Sequence, residues 1–217
     1  MIEIKKNDPP TWFERWKEDF AAGAGKRATY KKDFPQDKIR KLRGSLLKEQ
    51  GYICCYCMSR IGIDNSHLEH FYPKSAFPDK DMDYKNMLAS CEGSVMETGE
   101  DHCGHQKNDW FSDKMVNPST PEIKGMFRYG ADGWVYPGGK DETRAAAKEM
   151  IDHLGLNSYH LVRNREEAIE ASGIFDEEYS EEEIQDIIDY YLNMDNGKYV
   201  PYCGAIADIW KRQGINN

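Results

Sequence analysis

The sequence predicts an α+β fold, and three patterns along its 217 residues predict it. Apolar residues recur at helical spacing before position 51, short β-prone segments separated by turn residues extend to position 136, and helical patterns return after position 140. The chain is 39% hydrophobic and contains five Trp, so it can bury a substantial core. We expect three consecutive regions, residues 1–50, 51–138 and 139–217.

The first predicted element is a helix over Gln36 to Gln50, which follows a proline-containing start that we expect to be loop-like. Four apolar residues of this segment recur at helical spacing, and Gly51 suits the left-handed residue that often follows a helix. Lys38 and Lys41 would project away from the apolar side, where they could contact phosphate or simply be solvated. They are candidate nucleic-acid contacts.

The middle of the chain predicts short strands and turns. Gly-Ile-Asp-Asn at positions 62–65 favours a hairpin over residues 60–71, and Gly-Ala-Asp-Gly at positions 130–133 favours another over 126–136. Between the hairpins the sequence predicts a long loop at 72–85, a short strand at 86–90, a polar insertion at 92–101 and a helix at 102–114.

The last region is predicted to be helical. Ser180 and Glu183 form the sequence pattern of a capping box, which marks a helix start, and Gly155 suits the end of an earlier helix. The predicted helices cover approximately residues 142–154, residues 158–171, a segment after Ser180, and residues 201–212.

Charge is distributed unevenly along the chain. The net charge of −9 argues against a nucleic-acid partner, because phosphate binding relies on Lys and Arg. However, residues 166–190 contain 11 Asp or Glu and no Lys or Arg, which exceeds the whole net charge. Residues 26–48 carry nine Lys or Arg against two Asp. This basic segment could contact phosphate or form a solvated surface.

The sequence lacks the patterns of membrane and secreted proteins. No apolar run approaches the roughly 20 residues of a membrane span, and the N-terminus lacks the apolar stretch of a secretory signal. We therefore expect a cytoplasmic protein with no membrane partner. In a reducing compartment, thiols are expected to bind metal or stay free rather than form disulfides.

Four of the six cysteines surround an acid–histidine pair and are candidates for a structural zinc site: Cys54, Cys57, Cys91 and Cys103. The first two have Cys-x-x-Cys spacing, which supplies two thiolates to Zn²⁺, whereas an inserted loop separates the other two. Ordinary burial of thiols is the alternative interpretation. His102 is the alternative fourth ligand, and Cys55 and Cys203 are expected to be packing residues.

The adjacent residues Glu69 and His70 could supply the chemistry of phosphodiester hydrolysis. That reaction needs a base for water and a cation that neutralises charge on the phosphate and the leaving oxygen. His70 suits the base, since free histidine has a pKa of about 6.5, and Glu69 suits Mg²⁺. Adjacent side chains of a regular strand point to opposite faces, so the pair could share a site only where the strand ends or bulges. A surface glutamate beside a structural histidine is the alternative.

Three motifs resemble those of HNH, or His-Me finger, endonucleases: HLEHFYPKS at 67–75, NMLASC at 86–91 and CGHQK at 103–107. The resemblance implies a ββα-metal core with zinc knuckles, flanked by an N-terminal basic helix and a mostly helical C-terminal region. It implies that His70 is the general base, that Glu69 binds catalytic Mg²⁺ or Mn²⁺, and that Asn86 orders the long loop and orients His70.

By the same resemblance, His105 would be the second protein ligand of the catalytic ion, with Asn108 as the competing candidate. Lys107 could contact phosphate or be a solvated helix lysine. His67 is expected to be a hairpin residue rather than a ligand.

The likeness extends over most of residues 1–170, through the basic helix before CCYC, the interrupted cysteine pair, MVNPSTPE, the aromatic hairpin and IDHLGLNSYHLVRNR. These features resemble the nuclease subunit of Septu anti-phage systems, which also occurs with retrons. The resemblance implies an ABC- or SMC-like ATPase partner, and the acidic stretch at 166–190 is a candidate contact with it or shield.

The predicted function is metal-dependent hydrolysis of phosphodiester bonds in invading nucleic acid, with DNA favoured over RNA. Cleavage would leave 5′-phosphate and 3′-hydroxyl ends. The alternative is a non-catalytic zinc module that docks an ATPase partner or nucleic acid. A hydrolase that used only zinc would need an open zinc position, which four cysteine ligands do not leave.

Overall fold

The computed structural model describes residues 1–95, 99–174 and 179–213, and within them it shows helices and small antiparallel sheets, as the predicted α+β class requires. The helices are α1 Thr11–Ala24, α2 Tyr30–Asp33, α3 Gln36–Glu49, α4 Cys103–Lys107, α5 Asp141–His153, α6 Tyr159–Glu170, α7 Glu181–Leu192 and α8 Cys203–Gln213. The strands are β1 Ser66–His70, β2 Met87–Cys91, β3 Ser94–Val95, β4 Glu100–Asp101, β5 Phe127–Tyr129 and β6 Val135–Pro137. Among the described residues, the strands form two-stranded sheets in which β1 pairs with β2, β3 with β4 and β5 with β6.

The N-terminal region contains α1 and α2, so the expectation of a loop-like start is wrong. α1 begins directly after Pro10, and the fixed φ of proline suits a helix start. Phe13 of α1 is buried, with its ring centroid 5.5 Å from that of Phe34, and Trp16 packs on Phe34 at 4.9 Å. Aromatic residues at helical spacing between positions 12 and 20 are the signal for this helix.

The predicted helix at 36–50 is present as α3, and Gly51 follows it with a φ of +60°. α3 contacts both β1 and β2, and its buried residues include Leu42, Leu46 and Leu47. From the same helix, the Arg43 guanidinium donates to the backbone carbonyls of Ser66 and Ile63. These hydrogen bonds fix the start of β1 against the helix.

β1 pairs with β2, so the hairpin predicted over residues 60–71 is wrong. The antiparallel register runs from Ser66 opposite Cys91 to His70 opposite Met87. Arg60 instead forms an isolated bridge with Ile53. The long loop predicted at 72–85 connects the paired strands and contains two short 3-10 turns. A local turn signal does not identify a strand partner so far along the chain.

Helix α4 is shorter than the helix predicted at 102–114. It ends at Lys107, the next residue Asn108 has a φ of +45°, and the Trp110 N–H then bonds back to the Lys107 carbonyl at 2.8 Å. α4 packs against β2. The polar insertion at 92–101 forms β3 and β4, although its residues 96–98 lie outside the described residues.

The C-terminal half agrees with the sequence patterns. β5 and β6 form the predicted hairpin, α5 to α8 correspond to the predicted helices, and Ser180 and Glu183 form a capping box. α8 packs on α7, and its buried Trp210 donates to the Ser172 hydroxyl at 3.2 Å. A hydrophobic cluster includes residues from all three predicted regions, from Met1 to Trp210. Residues 175–178 of the acidic stretch lie outside the described ranges. Among the helices in those ranges, none is long and apolar enough to cross a membrane.

Candidate metal and catalytic site

Four buried thiols converge where β1, β2 and α4 begin or end: Cys54, Cys57, Cys91 and Cys103, whose sulfur atoms all lie within 4.8 Å of one another. The Sγ atoms of Cys57 and Cys91 are 3.8 Å apart. A tetrahedral zinc ion with Zn–S bonds of about 2.3 Å would place its sulfur ligands about 3.8 Å apart. Because the thiols form no disulfide, this cysteine quartet could hold a metal ion such as zinc.

Backbone amides point at the thiols of the quartet. The Ser59 N–H points to Cys57 Sγ at 3.5 Å, and the Cys91 N–H points to Cys54 Sγ at 3.4 Å. Burial opposes ionisation of Cys54, but hydrogen bonds from neighbouring thiols outweigh it and hold the pKa of Cys54 well below its ordinary value. Burial and the neighbouring thiols raise the pKa of Cys103 well above its ordinary value, and the pKa of Cys91 is also raised. Since deprotonated sulfur is the form that binds a metal ion, metal binding would displace protons from these two thiols.

His102 lies beside the cysteine quartet. Its Nδ1 is 3.3 Å from Cys103 Sγ and 3.7 Å from Cys91 Sγ. Cys103 nevertheless completes the group of four, with His102 next to it. Cys55 is buried and its N–H donates to the Ala89 carbonyl at 3.1 Å, which agrees with a packing role.

His70 is the last residue of β1 and is buried. Its Nε2 lies 2.9 Å from the backbone carbonyl oxygen of Asp81. Since a carbonyl only accepts hydrogen bonds, Nε2 carries the proton and Nδ1 presents its lone pair. Nδ1 accepts a hydrogen bond from the Lys74 Nζ at 3.3 Å, and the Tyr30 ring packs edge-on at 4.7 Å between centroids. This tautomer could act as a general base through Nδ1 if water took the place of the Lys74 ammonium.

The residues that hold His70 come from segments without a recognisable motif. Burial lowers the pKa of His70 to about 4, and the charge of Lys74 adds to this effect. The Asp81 carboxylate accepts hydrogen bonds from Arg27 at 2.5 Å and from the Tyr30 N–H at 2.9 Å. Arg27 and Tyr30 belong to the N-terminal region, so residues outside the predicted core build one wall of the His70 site.

Asn86 joins the two ends of the long loop. Its Oδ1 accepts from the Tyr72 N–H at 2.7 Å, and its Nδ2 donates to the carbonyls of Tyr72 at 3.1 Å and Lys80 at 3.0 Å. Its own carbonyl accepts from the Phe71 N–H at 3.0 Å. The buried amide therefore orders the loop that carries the Asp81 carbonyl.

Glu69 lies on the opposite face of β1 from His70, because the strand remains regular to its end. Its Oε1 accepts from the Tyr56 hydroxyl at 3.1 Å and pairs with Lys107 Nζ at 2.9 Å. Its Oε2 is 3.6 Å from His67 Nε2. Burial opposes ionisation of Glu69, but His67 and Lys107 outweigh it and lower the pKa of this carboxyl.

Lys107 is buried, with 1% of its side chain exposed, and its Nζ also donates to the His70 carbonyl at 3.0 Å. The interpretation of Lys107 as a solvated helix lysine is therefore wrong, and its ammonium is not exposed to a phosphate. Its charge instead balances that of Glu69. Lys41 remains exposed, with its Nζ 4.4 Å from the Trp12 ring centroid, and Lys38 is half-buried.

The two candidate second ligands lie at the rim of a cavity of about 510 Å³. Its lining residues are His67, Glu92, Asp101, Gly104, His105 and Asn108. His105 and Asn108 are exposed. Within the described part of the chain, the cysteine quartet forms a tight group of metal-binding side chains, whereas Glu69, His70 and His105 do not. His67 contacts Glu69, which the alternation of strand residues 67 and 69 onto one face could have indicated.

Comparison with known proteins agrees with the sequence motifs. No protein-family model matches the chain. The chain is 29% identical over 178 residues to the "Retron Vc95 putative HNH endonuclease" of Vibrio cholerae serotype O1 biovar El Tor. The aligned region covers 78% of this chain and 83% of that protein. This similarity confirms the resemblance to HNH endonucleases associated with retrons.

Proposed function

We propose that this protein is a zinc-braced HNH endonuclease that uses Mg²⁺ or Mn²⁺ to hydrolyse phosphodiester bonds of invading nucleic acid, with DNA as the favoured substrate. The observation that carries the proposal is the fixed orientation of His70, whose Nε2 is bound to the Asp81 carbonyl while the unprotonated Nδ1 accepts a hydrogen bond from Lys74. β1, β2 and α4 would form the ββα-metal core. The similarity to a retron-associated HNH protein supports the reaction class.

His70 would accept the proton of the attacking water at Nδ1, since Nε2 already carries a proton. The water would first take the place of the Lys74 ammonium, which donates to Nδ1 in this structure. Lys74, whose Nζ lies 3.3 Å from Nδ1, is placed to attract the phosphate. Asn86 would keep the loop closed and thereby hold the Asp81 carbonyl against the ring. A divalent ion held through Glu69 would neutralise charge on the phosphate and the leaving oxygen. Because Glu69 and His70 leave β1 on opposite faces, that phosphate would have to lie across the end of the strand, where His70 is the last residue. The products would carry 5′-phosphate and 3′-hydroxyl ends.

The cysteine quartet would serve as a structural zinc site. Four thiolate ligands leave no open position on zinc, so hydrolysis requires a different site. Glu69 suits that second site, because its lowered pKa keeps the carboxylate charged and carboxylate oxygen is a ligand that Mg²⁺ prefers.

We also propose an ABC- or SMC-like ATPase partner in an anti-phage defence system. The chain carries a net charge of −9, so a partner with a basic surface would help it to approach nucleic acid. α7 offers exposed acidic residues at Glu181, Glu182, Glu183, Asp186 and Asp189. The exposed lysines and arginines of residues 26–48, including Lys41, would contact phosphate from the nuclease side.

A cleavage panel tests the proposed function. The zinc-loaded chain is incubated with single- and double-stranded DNA and RNA, with and without the ATPase, in buffer freed of Mg²⁺ and Mn²⁺ or supplemented with either ion. We expect cleavage of at least one substrate only with Mg²⁺ or Mn²⁺, while zinc stays at one ion per chain. Binding without divalent-dependent cleavage would support the docking alternative, and cleavage that persists without either ion would contradict the proposed mechanism.

The environment of His70 predicts activity at unusually low pH. Free histidine is protonated below about pH 6.5, whereas burial and Lys74 lower the pKa of His70 to about 4. The acid limb of kcat/KM should therefore fall below pH 5. Replacing Lys74 with methionine should move that limb upward. The measurement is kcat/KM between pH 4 and 8 with saturating Mn²⁺, and a wild-type limb at pH 6.5 would contradict the prediction.

The difference between the pKa of His70 in the folded and unfolded chain also determines how stability changes with pH. The unfolded chain binds this proton at about pH 6.5 and the folded chain only at about pH 4, so the unfolded state binds more protons between these values. The contribution of His70 should therefore lower the free energy of unfolding as the pH falls from 6.5 to 4.

A further inference from the structure

We propose that His67 is the second protein ligand, with Glu69, of the catalytic divalent ion. This inference rests on the proposed function and assigns a residue to its metal site. His67 and Glu69 are two positions apart in β1, so their side chains project from the same face of the strand. Their facing atoms, His67 Nε2 and Glu69 Oε2, are 3.6 Å apart.

The separation of these two atoms fits a shared ion. Nitrogen and oxygen ligands at about 2.1 Å from one ion, meeting at roughly 90–120°, lie about 3.0–3.6 Å apart. The other carboxylate oxygen, Oε1, is already engaged by Tyr56 and Lys107. Oε2 is therefore the oxygen of Glu69 that faces a second ligand.

A glycine leaves space beside the two ligand atoms. A Cβ atom at Gly104 would lie 2.5 Å from His67 Nε2 and 2.8 Å from Glu69 Oε2, closer than such contacts allow. Gly104 is held in this position because its N–H donates to the Ser90 hydroxyl at 3.1 Å. At position 104, α4 thus approaches His67 Nε2 and Glu69 Oε2 without a side chain, while Lys107 of the same helix contacts the other carboxylate oxygen.

The cavity beside Gly104 gives His67 access to solvent, whereas Glu69 does not line it. It has a volume of about 510 Å³ and is lined by His67, with Glu92 and Asp101 among its acidic residues. The His67 side chain is 28% exposed, whereas that of Glu69 is 8% exposed. Mg²⁺ usually binds one or two protein groups and keeps several waters, which this cavity could hold.

His105 differs from His67 in its surroundings. It is exposed on α4 at the rim of the same cavity, whereas His67 lies against the Glu69 carboxylate. The geometry therefore favours His67 as the ligand and leaves His105 and Asn108 as rim residues that could contact substrate.

Measurement of Mn²⁺ binding to the zinc-loaded chain distinguishes His67 from His105 as the ligand. We expect His67→Ala to weaken Mn²⁺ binding at least tenfold in calorimetry and to remove the ¹⁴N coupling of one histidine from the pulsed EPR spectrum of the bound ion. His105→Ala should stay within twofold of wild type and keep the coupling. His67→Asp should restore binding without the ¹⁴N signal, because a carboxylate is also a suitable ligand.

Gly104→Ala provides a second variant in which both ligand residues remain. The added Cβ would displace His67 Nε2 and Glu69 Oε2, so we expect weaker Mn²⁺ binding with unchanged zinc content. Thermal unfolding of every variant checks the fold.

Unchanged Mn²⁺ affinity and ¹⁴N coupling in His67→Ala would overturn the inference, as would their loss in His105→Ala instead. Either result would leave the proposed function intact if the wild type still required Mn²⁺ for cleavage. Mn²⁺ binding through His67 without divalent-dependent cleavage of any substrate in the panel would overturn the proposed function and leave a metal site of another role.

Discussion

Replacing His70 with alanine should lower the cleavage rate by about 10²- to 10⁴-fold, the usual contribution of a general base. The Nδ1 lone pair of His70 is directed away from the Asp81 carbonyl that binds Nε2. Alanine removes the proton acceptor, while the cysteine quartet and Glu69 remain. The measurement is a single-turnover cleavage rate at saturating Mn²⁺, on whichever substrate the wild type cleaves.

Two matched variants separate the loss of the base from a loss of structure. His70→Gln keeps a polar side chain near Asp81 but offers no base near neutral pH, so its rate should fall as far as that of His70→Ala. His153→Ala removes an exposed histidine at the end of α5 and should leave the rate unchanged. A rate for His70→Ala within tenfold of wild type would refute the assignment.

Features specified by neighbouring residues were predictable from the sequence. The capping box at Ser180 and Glu183, the left-handed Gly51 and the knuckle of Cys54 and Cys57 each depend on residues fewer than five positions apart. Their geometry follows from short-range hydrogen bonds and backbone sterics, which are the same in most proteins.

Features that depend on distant residues were not predictable in the same way. The wall around His70 combines Arg27 and Tyr30 with Asp81, more than 50 positions away. Nothing in the sequence near Arg27 indicates this contact, because its only requirement is a guanidinium that reaches a carboxylate. The pairing of β1 with β2 likewise depends on burial of both strands against α3.

The face of β1 that carries His67 and Glu69 lies between these two cases. Strand alternation places His67 with Glu69 and apart from His70, and alternation is readable from the sequence once β1 is identified. What the sequence does not show is that Lys107, four residues beyond Cys103, turns inward and neutralises Glu69. Lys107 is the last residue of α4, a helix of only five residues that Asn108 follows with a positive φ.

Replacing Cys57 with serine should remove the bound zinc and most of the stability of the fold. Zinc binding to structural sites contributes about 10–16 kcal/mol in small zinc domains, and a typical protein is stable by about 5–15 kcal/mol. Here the quartet joins the segment before β1 to the end of β2 and the start of α4. We expect less than 0.2 zinc per chain and no cooperative thermal transition, measured by elemental analysis and near-UV circular dichroism.

Cys57 is the informative ligand to replace, because His102 lies on the other side of the quartet. The Nδ1 of His102 is 3.3 Å from Cys103 Sγ, so in a Cys103 variant His102 could replace the missing thiolate as the fourth ligand and zinc would stay bound. Cys55→Ala is the matched control, since this thiol is buried in the same knuckle but is outside the quartet. It should keep one zinc per chain and lose about 1 kcal/mol, as buried substitutions commonly do. Full zinc content in Cys57→Ser would show that Cys57 is not needed to bind zinc. Cooperative unfolding after zinc is lost would show that core packing rather than the metal aligns β1, β2 and α4.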